Sequence, residues 1–159
     1  MPSDELKVLT FNLKCKTKFE KLHRLEIRQK VATQIIRRTG ADIIGVQELL
    51  PEMKERLFGK LTDFSIFGTG RTKKLLGEHS DILVRNDRAE VTYSKTFWLS
   101  KDPDRKGSRA YYAIFPRICT VVELSLKGSG RKVRVFNTHF DHICPMARSL
   151  GVDVYKRQS

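Results

Sequence analysis

The residues of this chain that could carry out chemistry share one feature: each lies where a strand-like run begins or ends. They are Asn12, Gln47, Glu48, Glu78, Arg117, Asn137, Thr138, His139, Asp141 and His142. Loops at strand ends, held on a rigid sheet, are a usual place for catalytic groups. This grouping predicts a functional site at the end of a sheet.

The residue types suit the hydrolysis of a phosphate ester, in which the phosphate charge is neutralised, a water is activated and a leaving oxygen is stabilised. A hard cation such as Mg²⁺ neutralises the charge through oxygen ligands, often only one or two protein carboxylates. Glu48 is a suitable carboxylate, and Asn12 is a suitable neutral ligand beside it. Arg117 could hold the phosphate through two parallel hydrogen bonds.

A histidine can supply acid–base chemistry or a charged hydrogen bond, and a carboxylate can orient it. His139, with Glu78 or Asp141 as the orienting carboxylate, fits that description.

Each of these residues also has an ordinary structural interpretation. Asn12 could form the turn after its strand, and Glu48 could cap the helix that begins near Pro51. Arg117 could be a surface charge on a strand, and His139 an ordinary hydrogen-bonded histidine. The functional interpretation therefore depends on the whole set occurring in one order.

The hydrophobic pattern predicts the elements that would position these residues. Residues 18–38 form a helix with Gly40 as its cap, and Pro51 opens a short helix with Met53, Leu57 and Leu61 inward. The apolar residues assigned to one face of the first helix are Leu22, Leu25, Val31, Ala32, Ile35 and Ile36. Strand-like runs occupy residues 7–13, 42–46, 64–67, 81–85, 89–93, 96–99, 117–126 and 132–140.

The last two strands form a hairpin around the Gly-Ser-Gly turn at residues 128–130, with Val133 and Val135 on one face. Loops occupy residues 68–77, which are basic and contain glycines, and residues 100–113, which are polar. A helix followed by consecutive strands predicts an α/β layered sandwich with mostly antiparallel sheets and outer helices.

The composition favours an anionic partner. The chain has 159 residues and a net charge of +13, which suits a phosphate-rich substrate or, equally, a generally basic surface. No run approaches the roughly 18 apolar residues of a membrane-spanning helix, and no secretory signal is evident, so we expect a cytoplasmic location. Cys15, Cys119 and Cys144 lack metal-ligand spacing and are expected to be reduced thiols.

Five segments, in order, resemble the endonuclease/exonuclease/phosphatase superfamily, most closely bacterial members of unassigned substrate. They are residues 8–14 (VLTFNLK), 40–48 (GADIIGVQE), 77–85 (GEHSDILVR), 116–124 (PRICTVVEL) and 136–142 (FNTHFDH). The resemblance runs from residue 7 to about residue 150 and implies a deoxyribonuclease-I-like fold.

The resemblance also implies roles by position. Asn12 would lie near the metal and the scissile phosphate, and Glu48 would bind the metal, Mg²⁺ or Mn²⁺. Arg117 would lie close to the phosphate. His139 would contact the phosphate as an acid or transition-state stabiliser, paired with Glu78. Asp141 and His142 belong to this subfamily's version of the last motif.

The sequence departs from the family pattern in two respects. His79 and Asp81 stand where similar members often carry an aromatic residue and a proline. The later Gly-Asp-x-Asn and Ser-Asp-His motifs, which supply the residues at the attacking water, are absent. Residues 1–150 are therefore expected to be an incomplete domain, short of roughly 100 residues.

Residues 153–158 (DVYKRQ) match the translation of a transposon-end adapter used in DNA library preparation. We therefore expect residues 151–159 to be a non-native tail and exclude them from the fold prediction.

The combined prediction is a metal-dependent phosphate-ester hydrolase, a phosphodiesterase, nuclease or phosphatase, in which the present fragment is inactive. Basic loops at residues 14–21 and 71–74 would rim the site and attract an anionic substrate. The alternative is a non-catalytic nucleic-acid-binding module. A lipid-headgroup phosphodiesterase is a third possibility, but no membrane-binding amphipathic segment supports it.

Overall fold

The computed structural model of the chain describes residues 5–14, 22–110, 113–141 and 143–158. Seven strands and three helices occur in these ranges. They are β1 (Val8–Asn12), α1 (Leu22–Thr39), β2 (Ile43–Leu49), α2 (Pro51–Phe58), β3 (Phe64–Phe67), β4 (His79–Arg85), β5 (Ala89–Trp98), β6 (Ile118–Leu126), β7 (Lys132–Thr138) and α3 (Pro145–Gln158).

The strands form two sheets. The first has the order β1-β2-β4-β3 and the second the order β5-β6-β7. Among the described strands only the β1–β2 pair is parallel, and α1 lies in the crossover that such a connection requires. All other pairs are antiparallel. The predicted α/β class with mostly antiparallel sheets is confirmed.

The alternation of side chains along the strands builds layers. Ile44 and Val46 of β2 pack with α1 and α2 on one face of the first sheet. Ile43 of β2 lies on the opposite face, in a second cluster with Val122 and Leu124 of the other sheet. The far face of the second sheet packs against α3. The order is therefore helices, first sheet, second sheet, helix.

The short helix α2 buries Met53 and Leu57, as predicted, and Leu61, which follows the helix, is buried as well. The inward face of α1 differs in part from the prediction. Its buried residues are Gln29, Ala32, Thr33 and Ile36, whereas Val31 and Ile35 are exposed. Positions 29, 32, 33 and 36 follow the helical repeat onto one stripe, and two polar residues complete it. Residues 18–21 and the side chains of Leu22 and Leu25 lie outside the described parts.

Several strand boundaries also differ. The runs at residues 89–93 and 96–99 form one strand, β5, with an irregularity between Val91 and Tyr93 that accounts for the interrupted pattern. The strand predicted at residues 42–46 continues through Glu48 to Leu49. The Gly-Ser-Gly hairpin between β6 and β7 is confirmed.

Residues 151–158, which the sequence predicts to be a non-native tail, continue α3. Val154 and Tyr155 pack against the cluster of Phe97, Leu99, Cys119 and Val121, and the Tyr155 ring meets Phe136 edge-on at 5.0 Å. The adapter origin of this segment stays a prediction, since packing does not identify the source of a sequence.

Candidate active site

Glu48 lies in a backbone irregularity near the end of β2. The register with β4 shifts between Gln47 and Leu49, and Glu48 has a φ of 56°, which is uncommon for a residue other than glycine. An extra residue in one strand redirects the side chain at that point and often occurs beside active sites. The surrounding pairing of Leu49 with His79 therefore holds the Glu48 carboxylate in a strained, defined position.

Asn12 orients this carboxylate from the neighbouring strand. Because β1 and β2 are parallel, their carboxyl ends meet, and Asn12 pairs in register with Gln47. The Nδ2 of Asn12 donates to Oε1 of Glu48 at 2.9 Å, and its Oδ1 accepts from the backbone N–H of Lys14 at 2.8 Å. The side-chain amide thus joins the carboxylate to the turn after β1.

His139 reaches the same place from the second sheet. It directly follows β7, and its Nε2 lies 4.0 Å from Oε1 of Glu48. Asn137 fixes this approach, because its Nδ2 donates to the carbonyls of Val46 and Asp81 and its Oδ1 accepts from Gln47. The two sheets are therefore tied together directly behind Asn12, Glu48 and His139.

Arg117 and Asp141 form a buried ion pair beside this group. Arg117 is 6% exposed and places its Nε 3.5 Å from Oδ2 of Asp141. The other carboxylate oxygen of Asp141 accepts from the backbone N–H groups of Ile143 and Cys144. Burial alone would raise the pKa of Asp141, but these amides and Arg117 outweigh it and lower the pKa below its ordinary value. Asp141 therefore stays ionised and holds Arg117 in place.

Glu78 lies in one cleft with Arg117 and His139, and Arg71, Ser80 and Pro116 also line it. Both carboxylate oxygens of Glu78 accept from the guanidinium of Arg71, at 2.9 and 3.0 Å. The prediction that Glu78 orients His139 stays a prediction, whereas its bidentate bond with Arg71 is a feature of this structure.

His79 and Asp81, the two residues that depart from the family pattern, belong to a buried network next to the site. Asp81 is fully buried, with Lys54 of α2 at 2.8 Å from one oxygen and Nδ1 of His79 at 3.2 Å from the other. A side chain at Gly68 would collide with Asp81, since its Cβ would lie 2.0 Å from Oδ1. This network anchors the start of β4 beside the irregularity at Glu48.

In the sequence, Arg71 is only one of the basic residues at positions 71–74 that are expected to rim the site. Nothing in the loop sequence distinguishes Arg71 from Lys73 and Lys74. The structure shows that the loop folds back so that Arg71 contacts Glu78. His142 and residues 15–21 of the basic loop lie outside the described residues.

The donor set fits a hard divalent cation. Among the described residues, no three His, Cys, Asp or Glu side chains cluster to hold a metal. Mg²⁺ usually keeps several waters and needs only one or two protein carboxylates. Glu48, whose carboxylate Asn12 orients beside His139, meets that requirement.

Solved structures with the same fold cover almost the whole chain. An endonuclease/exonuclease/phosphatase from Bacteroides vulgatus is 31% identical, with a TM-score of 0.91 over 96% of this chain and 59% of its own length. A mannosyl-6-phosphatase from Bacteroides thetaiotaomicron is 29% identical, with a TM-score of 0.91 over 97% of this chain and 58% of its own. TDP2 from D. rerio, at 16% identity and a TM-score of 0.77 over 98% of this chain and 55% of its own, shares the fold.

The chain thus spans a little under three fifths of the relatives that it matches. No protein-family model and no curated protein matches it. No helix in the described ranges is long and apolar enough to cross a membrane. The structural neighbours confirm the resemblance predicted from the five motifs: the chain has the fold of the endonuclease/exonuclease/phosphatase family over nearly its whole length.

Proposed function

We propose that this chain carries the metal- and phosphate-binding part of a divalent-metal-dependent phosphate-ester hydrolase that uses Mg²⁺ or Mn²⁺. The observation that carries the proposal is the convergence of Asn12, Glu48 and His139 from three strand ends, with Arg117 in the adjoining cleft. The neighbours support phosphate esters as the substrate class, since they include a mannosyl-6-phosphatase and TDP2 in complex with a DNA product. The predicted cytoplasmic location belongs to the same proposal.

The geometry supports the following roles. Glu48, oriented by Asn12, would hold the cation, which when bound neutralises phosphate charge as a Lewis acid. Arg117 presents a permanent positive charge that Asp141 keeps in position, and so it binds the phosphate. His139 lies close enough to Glu48 to contact the same phosphate and can donate a proton or a charged hydrogen bond there.

The net charge of +13 favours the approach of anionic substrates. Two of the cations that contribute to this charge, Arg71 and Arg117, lie at one cleft, where Glu78 and Asp141 pair with them. A diffuse basic surface would by itself be compatible with a nucleic-acid-binding module. The oriented carboxylate at Glu48 is what favours hydrolysis, since a carboxylate repels a phosphate unless a cation lies between them.

The test uses the protein extended through the later family motifs. Hydrolysis of p-nitrophenyl phosphate and bis-p-nitrophenyl phosphate is measured with Mg²⁺, with Mn²⁺ and with EDTA. Glu48→Gln should lower the rate by about two orders of magnitude, because a metal supplies several kcal/mol of charge stabilisation. His139→Ala should cost about 10²-fold or more. Glu90→Gln, which makes the same change at an exposed position of β5, should leave the rate unchanged.

Retention of full activity in Glu48→Gln or in EDTA would refute the metal-dependent mechanism. Binding of DNA or RNA without any hydrolysis, indifferent to both substitutions, would instead support the nucleic-acid-binding module. We expect the 159-residue chain itself to be nearly inactive, since the resemblance places the residues at the attacking water in later motifs. Turnover by this chain that EDTA abolishes would contradict that expectation.

A further inference from the structure

Arg71 is fixed within the cleft by contacts through both its backbone and its side chain. Its guanidinium donates to both carboxylate oxygens of Glu78, and its backbone N–H donates to the carbonyl of the same residue at 3.2 Å. The indole N–H of Trp98 donates to the Arg71 carbonyl at 2.7 Å. A long side chain held in this way is a rigid part of the cleft wall.

Phe115 lies against this guanidinium. The Cζ of Arg71 lies 4.9 Å from the centre of the Phe115 ring, and Phe115 is still 46% exposed. The next two residues, Pro116 and Arg117, line the cleft together with Arg71. The residue before the ring is also held, since Arg109 donates to the carbonyl of Ile114 at 3.0 Å.

Single exposed apolar side chains are ordinary on protein surfaces, so the exposure of Phe115 alone carries no argument. What distinguishes Phe115 is that a fixed cation holds one side of its ring, two residues from the arginine that would bind phosphate. A preorganised ring loses little freedom when a ligand packs on it, so that packing contributes more fully to affinity.

We propose that Phe115, positioned by Arg71 and Glu78, forms a subsite for the alcohol part of the substrate, and that this alcohol is cyclic, a sugar or a nucleoside. The subsite rests on the proposed function, because it presupposes that Arg117 and His139 hold the phosphate. A sugar presents apolar C–H groups and a base presents a π-face, and both pack on an aromatic ring. An acyclic alcohol such as glycerol offers no comparable face.

The test measures binding by the 159-residue chain in Mg²⁺, by isothermal titration calorimetry, with four probes. They are inorganic phosphate, glycerol 3-phosphate, glucose 6-phosphate and adenosine monophosphate. At least one ring-bearing ester should bind about tenfold more tightly than glycerol 3-phosphate, the size expected for packing on one aromatic ring. Phe115→Ala should remove most of this preference for the ring-bearing ester over glycerol 3-phosphate, and Phe115→Tyr should keep it. Ile114→Ala, a change at the exposed neighbouring position, should leave all four affinities unchanged.

The outcomes separate the subsite from the proposed function. If Arg117→Ala binds inorganic phosphate as well as the wild type does, the phosphate site itself is wrong. If phosphate binding depends on Arg117 but no ring-bearing ester binds better than glycerol 3-phosphate, the subsite is overturned. It is equally overturned if Phe115→Ala weakens all three esters by one common factor. If the preference over glycerol 3-phosphate that depends on Phe115 is larger for glucose 6-phosphate, the alcohol is a sugar. If it is larger for adenosine monophosphate, the alcohol is a nucleoside.

Discussion

The link between the two sheets depends on the fit of Asn137 over Gly45. Asn137 is 7% exposed and makes hydrogen bonds with Val46, Asp81 and Gln47, at 2.7 to 2.8 Å. Asn137→Ala removes all three bonds, and at about 1 kcal/mol each the free energy of unfolding should fall by about 3 kcal/mol. Gly45 lies directly under this amide: a Cβ there would sit 2.9 Å from the Asn137 Oδ1 and 3.0 Å from its Cγ.

Gly45→Ala alone should therefore displace the amide and cost about 1–3 kcal/mol, the usual range for overpacking a well-filled site. In the Asn137→Ala background the Oδ1 and Cγ are absent, and the nearest remaining atom of residue 137 is its Cβ, at an ordinary contact distance of 3.5 Å. The same methyl group should then cost less than about 0.5 kcal/mol. The double-mutant cycle should thus show a coupling of about 0.5 kcal/mol or more.

Urea unfolding followed by the fluorescence of Trp98 measures all four proteins of the cycle. Gly59→Ala is the matched control, because Gly59 has a φ of −64° and its nearest neighbour to an added Cβ lies 3.8 Å away. That change should be neutral or stabilise by up to about 1 kcal/mol. If Gly45→Ala costs the same in both backgrounds, the packing of Asn137 on Gly45 does not determine how the sheets meet.

Two further predictions concern titrating groups. The lowered pKa of Asp141 means that its carboxylate stabilises the fold above its ordinary pKa near 4, and that this contribution is lost as the pH falls through the lower folded value. The difference in urea midpoint between wild type and Asp141→Asn should therefore shrink from pH 6 to pH 3, and a constant difference would contradict the reasoning. Burial raises the pKa of Cys119 to about 12. In a Cys15→Ser, Cys144→Ser chain, iodoacetamide at pH 8 should therefore modify Cys119 only as fast as the chain unfolds globally, as mass spectrometry can show.

The elements of the fold were largely predictable because their residues obey simple periods. In α2, Pro51 opens the helix and Met53 and Leu57 recur at helical spacing, and all the predicted inward residues are buried. The inward stripe of α1 was harder to predict. It includes Gln29 and Thr33, and a pattern based on apolar residues alone cannot locate polar members of a buried face.

The predicted site residues could be placed at strand ends, but their mutual geometry could not. Nothing about a glutamate predicts a positive φ, so the irregularity that aims Glu48 leaves no signal in a single sequence. The partner of Glu78 was similarly hidden, because pairing it with Arg71 requires knowing how the intervening loop returns. Contacts between residues far apart in sequence are set by the sheet register, which single-sequence patterns specify weakly.

Four strands form the edges of the two described sheets, and they differ in protection against pairing with another chain. Strand β3 is only four residues long, β5 has an irregularity and carries Glu90 and Lys95, and β7 carries Lys132 and Arg134. Short length, irregularity and charge are the usual devices that block edge-to-edge association. By contrast, β1 (VLTFN) has no charged residue and no irregularity, and its Val8 is 62% exposed.

Self-association of this chain should therefore proceed through β1, and Val8→Lys should suppress it by placing a charge on that edge. Tyr93→Lys is the control, since it adds the same charge at a 46% exposed position on β5, a protected edge. Light scattering after size-exclusion chromatography, over a range of protein concentrations, measures the mass of each variant. Monomeric Val8→Lys beside an associating wild type and Tyr93→Lys would assign the contact to β1. Equal suppression by both substitutions would mean that net charge, and not this edge, controls association.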